Sequence, residues 1–506
     1  MKRAATALLL VVLLATGAWW MLSRPFDEQP RLVLLYAPCT VNRDFLSPYD
    51  PDVRYTPSLQ KFADQAVVFT KHVTEAGQSG VAFAALFTGT QAMRHGVYYH
   101  PTNLSDSLYT IAEAYRDAGY ETFFWAGHPM ASPELHYGQG VSAANTFWRG
   151  GKYLPAEKRS FLRAGDARFG AILQRLREDP EYKAFVMTNF TVTHGRYVDL
   201  HLGEFCAAYP GECPEWPEEE LERISTLFRK NYLGLVYAFD QTVANLELTR
   251  DDVRKVAELA ETLYKSNVHH LDQLFGAVAD EIQASGLLDE SVIVLTADHG
   301  EVLYRAGAAL AWTHGFSLAP EVLQVPLLVR APSVPPGRYE SVTRSIDVFP
   351  TLAGLTGIRL PVDRVMGVDL SPALRGNASP PALLAFSHTS MLPDSLQTGF
   401  SPILSSRFPD RNPDTMWVGV RGGDLLYELT SDDGRQFDAH VFDLVRDPTE
   451  RNDLYDPQND EQREMIRQLA RYRTELAEAY RTKHGGEGQV PSDREKELLR
   501  SLGYIE

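Results

Sequence analysis

Cysteine is scarce in this chain, with three in 506 residues. A small domain stapled by disulfides is therefore excluded, and a chain of this length can bury a core without them. Basic residues are outnumbered, 49 Lys and Arg against 66 Asp and Glu, for a formal charge of −17. That leaves no basic surface of the kind nonspecific nucleic-acid binding needs, and no nucleic-acid partner is expected. Compositional bias is missing as well. The 36 Gly, 31 Pro and 44% apolar residues are ordinary shares, which excludes collagen-like and low-complexity chains. No internal repeat is visible. Beyond the N-terminus no apolar run is long enough to span a bilayer, so a multispan protein is excluded.

The one long apolar run sits at residues 1–24. Lys2 and Arg3 precede an uncharged stretch from Ala4 to Leu22, and Arg24 follows it. As a helix this stretch measures roughly 28 Å, close to a bilayer core. Trp19 and Trp20 fall where an interfacial belt belongs. We read it as a signal anchor, with a cleaved signal peptide as the alternative because residues 15–18 are small. The basic residues keep the N-terminus in the cytoplasm. The expectation is a single-pass inner-membrane protein whose body lies in the periplasm or extracellular space. Cys206 and Cys213 bracket CAAYPGEC, whose Pro-Gly turn brings them close, and a disulfide there suits an oxidising compartment. Cys39 is then left unpaired.

Between residues 31 and 375 apolar strands alternate with helices. RLVLLYA (31–37), AFVMTNF (184–190), SVIVLTA (291–297) and VPLLVRA (325–331) read as strands covered on both faces. Residues 57–67, 106–118 and 253–282 carry apolar residues at helical spacing. The fold class expected is α/β, a mostly parallel sheet with helices on both faces. Residues 360–415 read as a connecting region rich in Pro, Ser and Asp. Strands at Met416–Val420, Asp424–Leu429 and His440–Leu444, then a charged helix at 460–480, suggest a small α+β subdomain within 376–506.

Functional groups in such sheets gather beyond the carboxyl ends of strands. ADHGE (297–301) follows the third strand, and Asp298 beside His299 offers a carboxylate and an imidazole to a divalent cation. A capped turn is the alternative for an isolated DHG. His194, in TVTHGRY, follows the second strand, and His314 lies fifteen residues after His299. A neutral histidine suits acid–base work near neutral pH.

These segments, in this order, resemble the sulfatases of the alkaline-phosphatase superfamily. RLVLLYAPCTVNRDFLSPY resembles the family's opening strand and metal loop. TPSLQKFADQAVVFTKHV resembles the helix and strand that follow it, and FTGTQAMRHGV the segment after the nucleophile. VIVLTADHGE and HGFSLAPEVLQVPLLVRAP resemble the second metal motif and its following strand, and SIDVFPTLAGLTGI the next helix. VFDLVRDPTERNDLY and LRSLGYIE resemble its C-terminal part. The resemblance implies hydrolysis of a sulfate or phosphate ester by a nucleophile assisted by a divalent cation (Ca, Mg or Zn). The family's nucleophile stands ten residues before the Gly of a Thr-Gly pair. Here that pair is Thr88-Gly89, so the implied nucleophile is Ser79, with a helix-cap or turn serine as the alternative.

The family's flanking Pro and Arg are Val81 and Phe83 here, so conversion of Ser79 to formylglycine is not expected. Where the family has metal-binding aspartates the chain has Cys39 and Thr40. Thiolate suits zinc better than magnesium or calcium. The implied metal group is Asp298, His299 and Cys39. His194 and His314 match family histidines at the ester, and His128, in WAGHPM, falls near the family's leaving-group lysine. The expected function is a membrane-anchored, exported sulfatase-like hydrolase. A catalytically degenerate relative acting as an envelope binding or assembly component is the alternative. A phosphoethanolamine or glycerophosphate transferase ranks third, because its relatives have several spans.

Overall fold

The computed structural model describes residues 29–148, 161–197, 201–237, 239–304, 312, 314–389, 415–431 and 436–484. The expected anchor at 1–24 and the terminal LRSLGYIE lie outside the described residues. Among those described, no helix is long and apolar enough to cross a membrane.

Fourteen named strands are used below: β1 (Leu32–Pro38), β2 (Val67–Phe69), β3 (His72–Val73), β4 (Glu121–Ala126), β5 (Thr146–Trp148), β6 (Ala184–Phe190), β7 (Ser291–Thr296), β8 (Leu327–Arg330), β9 (Gly337–Tyr339), β10 (Thr343–Arg344), β11 (Leu384–His388), β12 (Val418–Gly422), β13 (Leu425–Thr430) and β14 (Asp438–Asp443). Eight of them form the main sheet, in the order β5-β4-β6-β1-β7-β8-β2-β9. Its centre is parallel: β4, β6, β1 and β7 run side by side in one direction.

Strand β1 shows why. All seven of its residues are buried. Leu32, Leu34 and Tyr36 point into one apolar cluster, and Val33, Leu35 and Ala37 into the other. That is the period-2 alternation of a strand with a core on each face. Each such aliphatic side chain contributes roughly 1.5–3 kcal/mol on burial.

The first core is covered by helices α1 (Pro57–Ala63), α4 (Ala167–Glu178), α5 (Glu218–Tyr237) and α6 (Arg250–Ala284), the second by α2 (Ser79–Thr88), α3 (Ile111–Asp117) and α7 (Ser345–Leu355). Helix α6 extends the expected 253–282 at both ends. Thr249 and Asp252 form a capping box at its start. Helix α3 is shorter than 106–118 because Thr110 and Glu113 cap it at residue 110.

Strand β8 pairs antiparallel with both β7 and β2. Among the described residues between β7 and β8 the helix present is the four-residue Pro320–Leu323, shorter than the crossover a parallel return requires. The region 360–415 is more than a connection, since β11 falls inside it. Strands β11–β14 make a separate antiparallel sheet, against which helix α8 (Asp460–His484) packs through Leu469, Tyr472, Leu476 and Tyr480. Cys206 and Cys213 are bonded as expected, and Cys39 is free and buried.

Candidate active site

The four parallel strands end at one edge of the sheet, and each delivers polar side chains just beyond its carboxyl end. Past β1 comes Cys39, past β4 His128, past β6 His194, and past β7 Asp298 and His299. Register aligns these ends: Asn189 is level with Ala37 on one side and Ala126 on the other. The Asn189 amide holds the neighbouring loop. Its Oδ1 accepts from the N–H groups of Gly127 and His128 at 3.0 and 3.1 Å, and its Nδ2 donates to the Ala131 carbonyl at 2.8 Å. The Thr193 hydroxyl donates to the Cys39 carbonyl, tying β6 to β1.

Two glycines allow the close packing of this edge. A Cβ on Gly300 would lie 1.9 Å from the Glu321 carbonyl oxygen, and one on Gly80 would lie 2.8 Å from the His100 Cβ. Gly300 lets the Asp298–His299 turn press against the 320–323 segment, where its N–H donates to the Val322 carbonyl at 2.8 Å. Gly80 lets Ser79 open helix α2 inside the cluster.

Ser79 is fully buried. Its Oγ is 3.1 Å from His299 Nε2 and 3.4 Å from Cys39 Sγ. Backbone partners fix the ring protonation of three histidines. His299 Nδ1 lies 2.9 Å from the Gly300 carbonyl and His194 Nδ1 2.8 Å from the Gly195 carbonyl. A carbonyl only accepts, so both Nδ1 atoms carry the hydrogen and both Nε2 atoms present a lone pair. His128 is the reverse. The Met130 N–H donates to its Nδ1 at 3.1 Å, so its neutral ring carries the hydrogen on Nε2, a buried atom without a hydrogen-bond partner. His314 stacks on His299 at 4.2 Å between centroids and lies 5.1 Å from His194.

Asp298 Oδ1 accepts from the N–H groups of Thr40 and His299, at 3.1 and 2.7 Å. Its Oδ2 is buried without a hydrogen-bond partner and lies 3.4 Å from His299 Nε2. Cys39 Sγ, one Asp298 oxygen and one His299 nitrogen lie within 4.8 Å of one another. An orphaned carboxylate oxygen beside an imidazole lone pair and a thiol is a donor set that fits a cation. Cys39, His128 and His194 make a second group of that size, but the Nε2–H of His128 makes it a donor there, not a ligand.

Burial dominates the electrostatics. It lowers His194, His299 and His314 to about 4, so these rings are neutral at pH 7. Burial and the charge of Asp298 push the Cys39 thiol up. Burial also raises Glu301 to about 7. Glu301 Oε1 is 3.1 Å from His314 Nδ1.

All six residues expected from the sequence therefore meet in one cluster: Cys39, Ser79, Asp298 and His299 in direct contact, with His314 and His194 beside them. His128 joins them. Glu301 was missed; it closes the ADHGE motif, but a single acidic residue gives no hint that its side chain turns inward. Phe83 is fully buried, with its ring 5.9 Å from His128 and 5.4 Å from Phe87. Hydrocarbon thus fills the place of the family's arginine.

Comparison with known proteins agrees with this geometry. The sulfatase family model matches residues 40–358. A choline-sulfatase of Rhizobium meliloti is 24% identical over 442 residues, 80% of this chain and 78% of that one. Among solved structures, BT4656 in complex with its substrate D-glucosamine-2-N,6-O-disulfate superposes with a TM-score of 0.65 at 17% identity. That match covers 91% of this chain and all of the other. The phosphonate monoester hydrolase of Silicibacter pomeroyi gives 0.62 at 20% identity, covering 92% of this chain and all of the other. With these matches and the strand-edge cluster that underlies them, the chain belongs to the sulfatase family.

Proposed function

We propose that this chain hydrolyses sulfate or phosphate and phosphonate esters, with Ser79 as the nucleophile. The observation that carries the reading is the Ser79 hydroxyl buried at the strand edge, in contact with both Cys39 and His299. Asp298, His299 and Cys39 would hold the divalent cation. When bound, the cation lowers the pKa of the Ser79 hydroxyl and offsets charge developing on the ester oxygens.

The chain's own groups do the rest. Ser79 Oγ gives up its proton to solvent and attacks the sulfur or phosphorus as the bond to the leaving alcohol oxygen breaks, and water then cleaves the ester formed on Ser79. The Nε2–H of His128 faces into the site as a fixed donor for an ester oxygen. His314 and Glu301, whose proton is held near neutral pH, pass a proton to and from the leaving oxygen. His194, whose Nε2 presents a lone pair, accepts a hydrogen bond from the attacking water and so positions it. A cleft of about 630 Å³ lined by Arg196, Tyr197, Phe228, Arg229 and Tyr232 lies beside the His194 loop and receives the alcohol part. Similarity to a choline-sulfatase and to a phosphonate monoester hydrolase supports sulfate and phosphonate esters as substrates.

The disulfide supports an exported body, and the run at 1–24 supports a membrane anchor holding it. The degenerate alternative is favoured by one observation, the apolar Phe83 where the family has a cation. The deciding experiment is nitrophenol release from sulfate, phosphate and phosphonate esters by the purified protein and by Ser79→Ala. Turnover lost in the variant is expected. No turnover from any ester, or turnover indifferent to the variant, sinks the reading. Mass spectrometry of the peptide carrying Ser79 is expected to show an unmodified serine.

A further inference from the structure

We infer that the cation site is a thiolate site that takes a zinc-class ion, with Cys39 as a ligand, and that it rejects magnesium and calcium. The inference rests on the proposed function only in placing a cation here; it adds the identity of the ion and the bond that selects it.

The donor inventory is the first argument. Calcium takes six to eight oxygens, and magnesium demands near-octahedral oxygen coordination. The group formed by Cys39, Asp298 and His299 supplies a single carboxylate. Its other donors are a sulfur and an imidazole nitrogen, the mixture zinc prefers.

Geometry is the second argument. Zinc–ligand bonds of about 2.3 Å to sulfur and about 2.0 Å to nitrogen and oxygen imply tetrahedral edges of roughly 3.5 Å between sulfur and nitrogen and roughly 3.3 Å between oxygen and nitrogen. Cys39 Sγ lies 3.9 Å from His299 Nε2, and Asp298 Oδ2 lies 3.4 Å from the same atom. The two edges that meet at His299 Nε2 thus stand within about 0.4 Å of the spacing required, and the third donor pair lies within 4.8 Å.

The supporting contacts are the third. A metal-binding histidine ordinarily donates its other ring N–H to a carbonyl or carboxylate, and His299 donates Nδ1–H to the Gly300 carbonyl. Asp298 is steadied through its other oxygen by two backbone N–H groups. The Thr40 hydroxyl donates to Cys39 Sγ at 3.2 Å, a bond that favours the sulfur as thiolate. Ser79 Oγ touches both Cys39 Sγ and His299 Nε2, so it stands at the remaining corner. Binding balances simply: the Cys39 S–H bond breaks, its proton goes to solvent, and a sulfur–metal bond forms.

The test uses the full-length protein, stripped with a chelator and titrated with zinc, cobalt(II), magnesium and calcium. Zinc is expected to bind near one per chain and to raise Tm. Cobalt(II) is expected to give a near-ultraviolet thiolate-to-metal charge-transfer band. Cys39→Ser should lose that band and bind zinc at least about 100-fold more weakly, since even a supporting contact is worth 10- to 100-fold. Cys39→Asp, a second variant that guards against misfolding of the first, should gain magnesium or calcium binding. Magnesium or calcium binding as tightly as zinc in the wild type, or a cobalt band unchanged in Cys39→Ser, overturns the inference. The band without ester turnover leaves the inference standing and defeats the proposed function. Turnover with magnesium or calcium and no band does the opposite.

Discussion

Glu301→Gln is the most informative single change outside the nucleophile. Glu301 is fully buried, and burial raises its pKa from an ordinary 4.5 to about 7. A carboxyl whose folded pKa lies above its unfolded value weakens the fold as pH rises. Between the two values the unfolded chain releases a proton the folded chain keeps. The full penalty is on the order of 3 kcal/mol, from about 1.4 kcal/mol per pKa unit. At pH 5 only about a quarter of it is expressed, and at pH 8 nearly all of it. Glutamine removes the titration and keeps an acceptor for His314 Nδ1. His194, His299 and His314 titrate near 4, so they are neutral in both proteins across this window. The metal-stripped variant should therefore gain on the order of 2 kcal/mol on the wild type between pH 5 and pH 8, read by urea denaturation at both pH values. A difference that is flat with pH, or that moves against the variant, refutes the buried-acid account. The variant should also flatten the pH profile of kcat, because the proton shared with His314 is gone.

Two further changes probe the scaffold. Gly300→Ala places a methyl group 1.9 Å from the Glu321 carbonyl oxygen, so the turn must move. A loss of about 3 kcal/mol, at the upper end for overpacking, and loss of metal binding are expected in denaturant melts and metal titrations; a change under about 0.5 kcal/mol contradicts the packing described. Replacing Cys206 and Cys213 together by serine opens a loop with a separation of seven residues. The chain-entropy argument gives a destabilisation of about 2.5 kcal/mol, measurable in the same melts, with the site's metal affinity unchanged because the loop lies outside the cluster.

The central sheet was legible because β1, β6 and β7 are apolar on both faces, and only a two-sided core asks for that. The antiparallel return of β8 was not, since three apolar residues and an arginine carry no sign of direction. Strand β11 was hidden in a stretch whose Pro and Ser suggested a loop, and it forms because β12 offers it a paired edge. The site residues could be named because each follows a strand end or matches a family position. Their working details were not legible. The opposite hydrogen placement on His128 and His299 depends on whether a backbone N–H or a carbonyl faces each ring, and the inward turn of Glu301 depends on the close approach at Gly300. Cys39 stands in the sequence where the resemblance implies an aspartate ligand. In the fold its sulfur stands among the donors.

The claim that Ser79 carries the reaction is tested most directly by kcat/KM for nitrophenyl sulfate and phenylphosphonate ester hydrolysis, wild type beside Ser79→Ala at equal metal content. The account predicts a fall of at least about 1,000-fold, the scale of losing a nucleophile, with Tm shifted by no more than the loss of one buried hydrogen bond, about 1 kcal/mol, allows. A folded Ser79→Ala protein that keeps wild-type turnover would contradict it.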